Sequence, residues 1–294
     1  MSVSFNEELK QSKVQEVVGL PINKEIIFSN HKNVYKKRIE KRQSRLLKKI
    51  AFLKPFLSGD ENIIMITTAC SPMSITEQFL VGWMIFYLKR SLLVFTNKRI
   101  FHIPTKTDYS YRNSIAQIFY EDCQTITVRS RSLICKYKNN IKEQFHYIES
   151  SCIKKIKSLI KDLTGTGENA SKYHRRTHIC PRCAHELEQN KYMCLNCQLV
   201  FLNKKDSDKI SWIYPGGGYF YTRHPFLGLG DAIVQLILII WVVDALVTVI
   251  TKGVETIGIL VFSTILLVFE KLMTVYEATH FISEYIPIEK NLGK

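Results

Sequence analysis

LLVFTNKRIFHIP, residues 92–104, carries the pattern from which the fold follows. β-branched and aromatic residues run up to Thr96-Asn97-Lys98, a turn-forming cluster, and resume at Ile100, so the stretch predicts strand, turn, strand. Outward from it, short runs of the same kind recur between Pro55 and Leu163, at 62–68, 79–88, 115–120, 125–129, 133–137 and 143–148. Ser130-Arg131-Ser132 and Lys138-Asn139-Asn140 supply further turns. SSCIKKIKSLIKDL then sets Ile153, Ile156, Leu159, Ile160 and Leu163 on one helical face, with lysines opposite. Short antiparallel strands closed by one amphipathic helix predict a small barrel or sandwich plugged by that helix.

With YRNSIAQIFYED (111–122), LICKYKNNIKEQFHYI (133–148) and the closing helix, this hairpin resembles bacterial pleckstrin-homology-like (GRAM-type) domains over residues 58–163. The resemblance implies a seven-stranded barrel with a C-terminal helix, and a membrane-proximal docking module rather than an enzyme. Lys89, Arg90, Lys98, Arg99 and Arg112 are candidates for an anionic-lipid or partner patch, with ordinary surface charge as the alternative. SPMSITEQFLVGWMIFYLKR (71–90) departs from the pattern and reads also as an inserted helix.

Charge is distributed unevenly over the 294 residues. Lys and Arg total 41 against 26 Asp and Glu, but residues 230–294 carry 4 against 7 and residues 1–229 carry 37 against 19. A basic body joined to an apolar tail argues against a plain soluble enzyme. The first twenty residues lack an apolar h-region, so no signal peptide is expected. Ten Lys/Arg and one Glu fall between His31 and Lys54, around a loose helical stripe. That face is solvated, attracted to an anionic membrane, or attracted to nucleic acid; charge alone does not separate these. No Ser/His/Asp, Cys/His or paired-carboxylate constellation has recognisable spacing, and no enzymatic activity is expected.

Cysteine usage points to a reducing compartment. Cys70, Cys123, Cys135 and Cys152 are scattered, whereas CPRCAHELEQNKYMCLNC holds Cys180, Cys183, Cys194 and Cys197 as two CxxC pairs ten residues apart. Two such knuckles let four thiolates converge on Zn²⁺ at about 2.3 Å, as in a short zinc ribbon. Iron suits the same ligands, and disulfides or free thiols are the remaining alternatives. Four protein ligands close the site, so its metal is expected to be structural; His178 and His185 lie near but are not needed. Residues 164–178, rich in Gly, Ser and Thr, read as a linker.

The C-terminal third reads as membrane. Ala232–Ile250 has 16 apolar residues of 19, about 28 Å of helix. Thr256–Phe269 is shorter and reaches spanning length only through Glu270, Lys271 and Tyr276, which predicts either a two-span hairpin or one span and a re-entrant helix. Trp212, Tyr214, Tyr219, Phe220, Tyr221 and Phe226 form an interfacial belt ahead of the first span. The PGGGYFY stretch lacks the Lys-Ser/Thr of a phosphate loop; it resembles instead the start of small two-span hairpin domains that bacteria fuse to zinc ribbons. Basic residues crowd the N-terminal side, which predicts an inner-membrane protein with both ends cytosolic. Asp244 is expected to face Ser263 or Thr264 across the hairpin. The tail from Lys271 is expected to lie on the membrane or on the barrel.

The expected architecture is therefore an α+β multidomain chain: a basic helical region (1–54), a barrel with a C-terminal helix (55–163), a linker (164–178), a zinc ribbon (179–203) and a membrane hairpin with an amphipathic tail (204–294). The expected function is a membrane-anchored cytosolic adaptor that docks lipid or protein. A membrane-tethered nucleic-acid-binding protein is the alternative.

Overall fold

The computed structural model describes residues 14–74, 78, 85–163 and 175–288. The chain divides into two compact units, the first ending at Gln198 and the second beginning at Leu199.

In the first unit, β1 (Val14–Val17), β2 (Leu20–Asn23), β3 (Ile63–Cys70), β4 (Arg90–Thr96), β5 (Arg99–Pro104), β6 (Ile115–Phe119) and β10 (Thr177–Ile179) form one sheet in that order. β7 (Cys123–Arg129), β8 (Ser132–Tyr137) and β9 (Lys142–Phe145) form a second. Neighbours pair antiparallel except β2 and β3, which meet in parallel at Ile22 and Ile63. Among the described residues the strands form two sheets rather than the expected closed barrel. The two sheets are separate, and their backbones are bridged where Cys70 and His146 exchange hydrogen bonds of 2.7 and 3.1 Å.

The reason Leu92–Phe95 is apolar at every position is that the large sheet is covered on both faces. Leu93, Phe95, Ile100 and Ile118 pack towards the small sheet and the helix α2 (Ser150–Leu163). Leu92, Val94, Phe101 and Ile103 pack towards the opposite layer, built from α1 (Lys37–Lys49) and the 3-10 turn Ala51–Phe56. The small sheet alternates instead, with β8 burying every second residue. Its turns place Ser130 and Asn140 at φ 53 and 66, in the left-handed region that short polar residues tolerate.

α1 is fastened to the sheet by more than its apolar face. The buried Gln43 side chain donates to Ile66 O (2.8 Å) and accepts from Ile66 N (3.2 Å), occupying β3 groups that β2 leaves unpaired. α2 is held at the turn Lys24–Ile27 by buried Lys155, which donates to Ile26 O and to Ser29 O (2.6 Å). Burial pulls the Lys155 pKa down to about 8.

Of the run expected as a strand at 79–88, Ile85–Leu88 is a helical turn, closer to the inserted-helix reading, and 79–84 lie outside the described residues. So do most of the expected linker (164–174) and the last residues of the tail. Thr177 and His178, expected at the linker's end, lie in β10 and pair with Gln117 and Ala116.

The second unit is helical: α3 (Lys204–Ile213), α4 (Gly217–Tyr221), α5 (Pro225–Lys252) and α6 (Ile257–Ile282). Asn203 caps α3, its side chain accepting from Asp206 N at 2.8 Å. α5 and α6 are long and apolar enough to cross a membrane. The glycine cluster permits close approach at the base of this hairpin. Gly216 has φ +69, and a Cβ there would lie 2.1 Å from Gly228 O; one at Gly218 would lie 2.3 Å from Ser211 Oγ and 2.9 Å from Ala278 Cβ. The tail turns back on the start of the unit, with Leu202 N donating to Ile286 O (2.9 Å) and Ile288 N to Val200 O (3.0 Å). The two ends of the helical unit therefore lie side by side.

Candidate functional site

The two cysteine knuckles fold alike. Ala184 N donates to Cys180 O at 2.9 Å and Gln198 N to Cys194 O at 3.0 Å. The residue after each second cysteine, Ala184 or Gln198, turns the chain with φ 58 or 56. Such turns aim backbone N–H groups at sulfur: those of Arg182 and Cys183 reach Cys180, and that of His185 reaches Cys183. All four Sγ atoms lie within 4.8 Å of one another, with Cys180–Cys197 at 3.4 Å and Cys183–Cys194 at 3.6 Å. These separations exceed a disulfide bond, about 2.05 Å. They approach the edge of an S₄ tetrahedron with 2.3 Å bonds, about 3.8 Å. Burial pushes the Cys180 thiol up; at Cys183 burial is outweighed by the Asn196 side chain and the His185 N–H, which bring it down to about 6. The donor set fits a metal ion. His178 and His185 are not in the cluster; His178 sits in β10, where its carbonyl accepts from Leu187 N at 2.8 Å. The four scattered cysteines are buried free thiols.

The hairpin charges do not gather into a free patch. In TNKR, Thr96 Oγ1 accepts from Arg99 N (3.0 Å) and donates to Glu61 (2.8 Å), and Asn97 Oδ1 accepts from Asn62 N (2.9 Å). Lys98 pairs with Asp60 across 2.5 Å. Arg99 forks onto Glu61, from Nε to Oε1 at 3.0 Å and from Nη2 to Oε2 at 2.7 Å, and also donates to Phe56 O. Burial alone would raise Glu61, but Arg99 outweighs it and holds the carboxyl below its usual value. Lys98 and Arg99 thus fasten the turn to residues 56–62. Lys89 is buried, Arg90 lies over the Tyr87 and Tyr109 rings and donates to Thr107 O, and Arg112 is half-buried.

A pairing invisible in the sequence sits between the layers. Fully buried His102 has Nε2 2.8 Å from Ser71 Oγ and Nδ1 2.6 Å from an Arg176 N–H. Arginine only donates, so Nδ1 accepts and the ring proton is on Nε2, facing Ser71. That tautomer cannot take the serine proton, so the pair is not arranged as nucleophile and base. Burial, then the charge of Arg176, keeps His102 neutral.

In the second unit, Asp244 is exposed, and Ser263 and Thr264 donate to Leu260 O at 3.1 and 2.7 Å instead. Ala245 and Ser263 take the buried places. The polar contacts that sequence reasoning missed gather near the hairpin base. Buried Gln235 donates to Asp231 (2.8 Å) and Thr274 (2.9 Å) and accepts from Gly216 N (3.3 Å). Lys271 donates to Ser211 O (2.9 Å) and Tyr214 O (3.3 Å), and Tyr219 donates to Glu277. Beyond this base, Ile240 and Ile250 on α5 are 67% and 74% exposed, and Val261, Phe262 and Ile265 on α6 are exposed also.

No family model, curated protein or solved structure matches the chain.

Proposed function

We propose that the chain is a membrane-anchored, non-enzymatic binding protein, with α5 and α6 as a two-span hairpin and the first unit as its ligand-docking body. The observation that carries this reading is the apolar surface of both helices, which water would penalise and a hydrocarbon core would accommodate. The adjacency of residues 200–202 and 286–288 supports placing both ends of the hairpin on one side. The excess of Lys and Arg before α5 supports a cytosolic location for that side, at the inner membrane of a bacterial cell. In the first unit, the β3–β6 meander, the β7–β9 meander and the closing helix α2 support a pleckstrin-homology-like reading in open form, elaborated by β1–β2, α1 and β10. Zinc is the metal proposed at Cys180, Cys183, Cys194 and Cys197, because a closed set of four thiolates suits it. It would fix the ribbon next to β10 and serve as structure, leaving adaptor contacts to lipid or protein partners.

Alkaline carbonate washing tests the anchor. The full chain should remain in the pellet, and cysteine-reactive probes should reach an introduced cysteine at Lys252→Cys from outside the cell and one at Lys48→Cys only after lysis. Release by carbonate, or the opposite labelling pattern, refutes it.

A further inference from the structure

A cleft of about 500 Å³ opens in the first unit between α1 and the start of α2. Arg38, Lys41, Arg42 and Arg45 line one wall, at the i, i+3, i+4 and i+7 spacing that brings residues to one helix face. The opposite face of α1 carries buried Gln43, Leu46 and Leu47, so the basic face is oriented by the core. Glu149 and Ser151 line the other wall, at the first turn of the 14-residue helix α2. Among the described residues, Arg38, Lys41 and Arg45 have no acidic partner. Arg42 is engaged with Glu149 and Ser151, and Ser151 Oγ donates to the same Glu149 oxygen at 2.7 Å.

We propose that this cleft binds a phosphoryl group of a small ligand, either a soluble phosphate compound or the headgroup of a phosphorylated lipid. The Glu149 carboxylate already shows where an anion is held: against Arg42 Nη1 and the Ser151 hydroxyl, just ahead of α2. Four cations face that one carboxylate, which leaves positive charge for a second, larger anion. Guanidinium groups present paired N–H donors matched to phosphate oxygens, and a dianion gains more from such a cluster than a carboxylate does. The site differs in position from the hairpin patch expected from the sequence, whose charges are engaged elsewhere. It depends on neither the metal nor the membrane anchor, so it stands or falls separately from them.

Calorimetric titration of the full chain in neutral detergent, with inorganic pyrophosphate as probe, tests it. Saturable binding is expected, weakened at least about tenfold in Arg38→Gln/Arg45→Gln, the loss due to two charge-assisted contacts. Lys32→Gln/Lys142→Gln, which removes the same charge away from the cleft, should stay within about twofold, and Glu149→Gln should bind more tightly. Dioctanoyl phosphatidylinositol 4-phosphate and dioctanoyl phosphatidylserine form the second arm. Preference for the former over both pyrophosphate and phosphatidylserine identifies a lipid headgroup; preference for pyrophosphate identifies a soluble ligand, and either supports the site. Equal weakening by the two double variants, no binding of either phosphate probe, or affinity confined to duplex DNA overturns it.

Discussion

Glu61→Gln should open the β4–β5 hairpin, whereas Lys98→Met, one residue from Arg99, should be nearly silent. The Glu61 side chain is 0% exposed and that of Arg99 12% exposed, so the pair is desolvated. Glu61 receives both Arg99 contacts, at 3.0 and 2.7 Å, together with Thr96 Oγ1 and, at 3.1 Å, Ser58 N. Glutamine keeps the shape but offers one acceptor oxygen and no charge, so a buried guanidinium loses its counter-ion. Breaking a buried pair this way costs about 3–5 kcal/mol. Lys98 and Asp60 are 39% and 75% exposed, and water screens that pair in either state. Hydrogen exchange of the β4 and β5 amides, followed by mass spectrometry on the full chain in detergent, reads the difference. Exchange in Glu61→Gln should accelerate roughly a hundredfold or more, at about 1.4 kcal/mol per factor of ten. The folded pKa of Glu61 is depressed, so its stabilising contribution is present above its unfolded value and is lost as pH falls through the depressed one. The variant should lack that acid-side loss. A change of only a few-fold in Glu61→Gln, or an equal change in Lys98→Met, would refute the assignment of Arg99 to structure.

Three other perturbations probe the remaining elements. Cys194→Ser should abolish the roughly one equivalent of zinc expected in the purified protein and loosen residues 177–198, read by elemental analysis and limited proteolysis, because metal binding in such a site is folding energy. Gly218→Ala puts a Cβ 2.3 Å from Ser211 Oγ and should lower the thermal midpoint of the full chain in detergent by the equivalent of about 1–3 kcal/mol, while Gly230→Ala, which meets nothing within 4 Å, should not. Lys155 is pulled down to about 8 in the folded protein, so the unfolded chain holds the extra proton between that pH and about 10.5 and stability rises with pH across the window. Its contribution, about 3 kcal/mol at full shift, should appear as the difference between wild type and Lys155→Met in denaturant midpoints at the two ends.

Local spacing carries the parts of this protein that its sequence determines by itself. The paired CxxC knuckles bring their sulfurs together over a few residues, the apolar positions of 150–163 repeat with the helical period, and turn residues bracket most of the strands, so each could be read without knowing its neighbours. The apolar length of α5 belongs to the same class. What only the tertiary structure decided is the set of contacts between distant segments. Arg99 reads as surface charge until Glu61, 38 residues away, is placed beside it. Gln43 reads as a polar helix residue until it meets the Ile66 backbone, and His102 carries no signal at all without Ser71 and Arg176. Position 244 shows the limit most plainly. Counting from the turn finds a depth, but a helix rotates about 100° per residue, so Ala245 rather than Asp244 is buried. Period and spacing survive in a single chain segment; rotation, register and partner choice are settled only when segments pack.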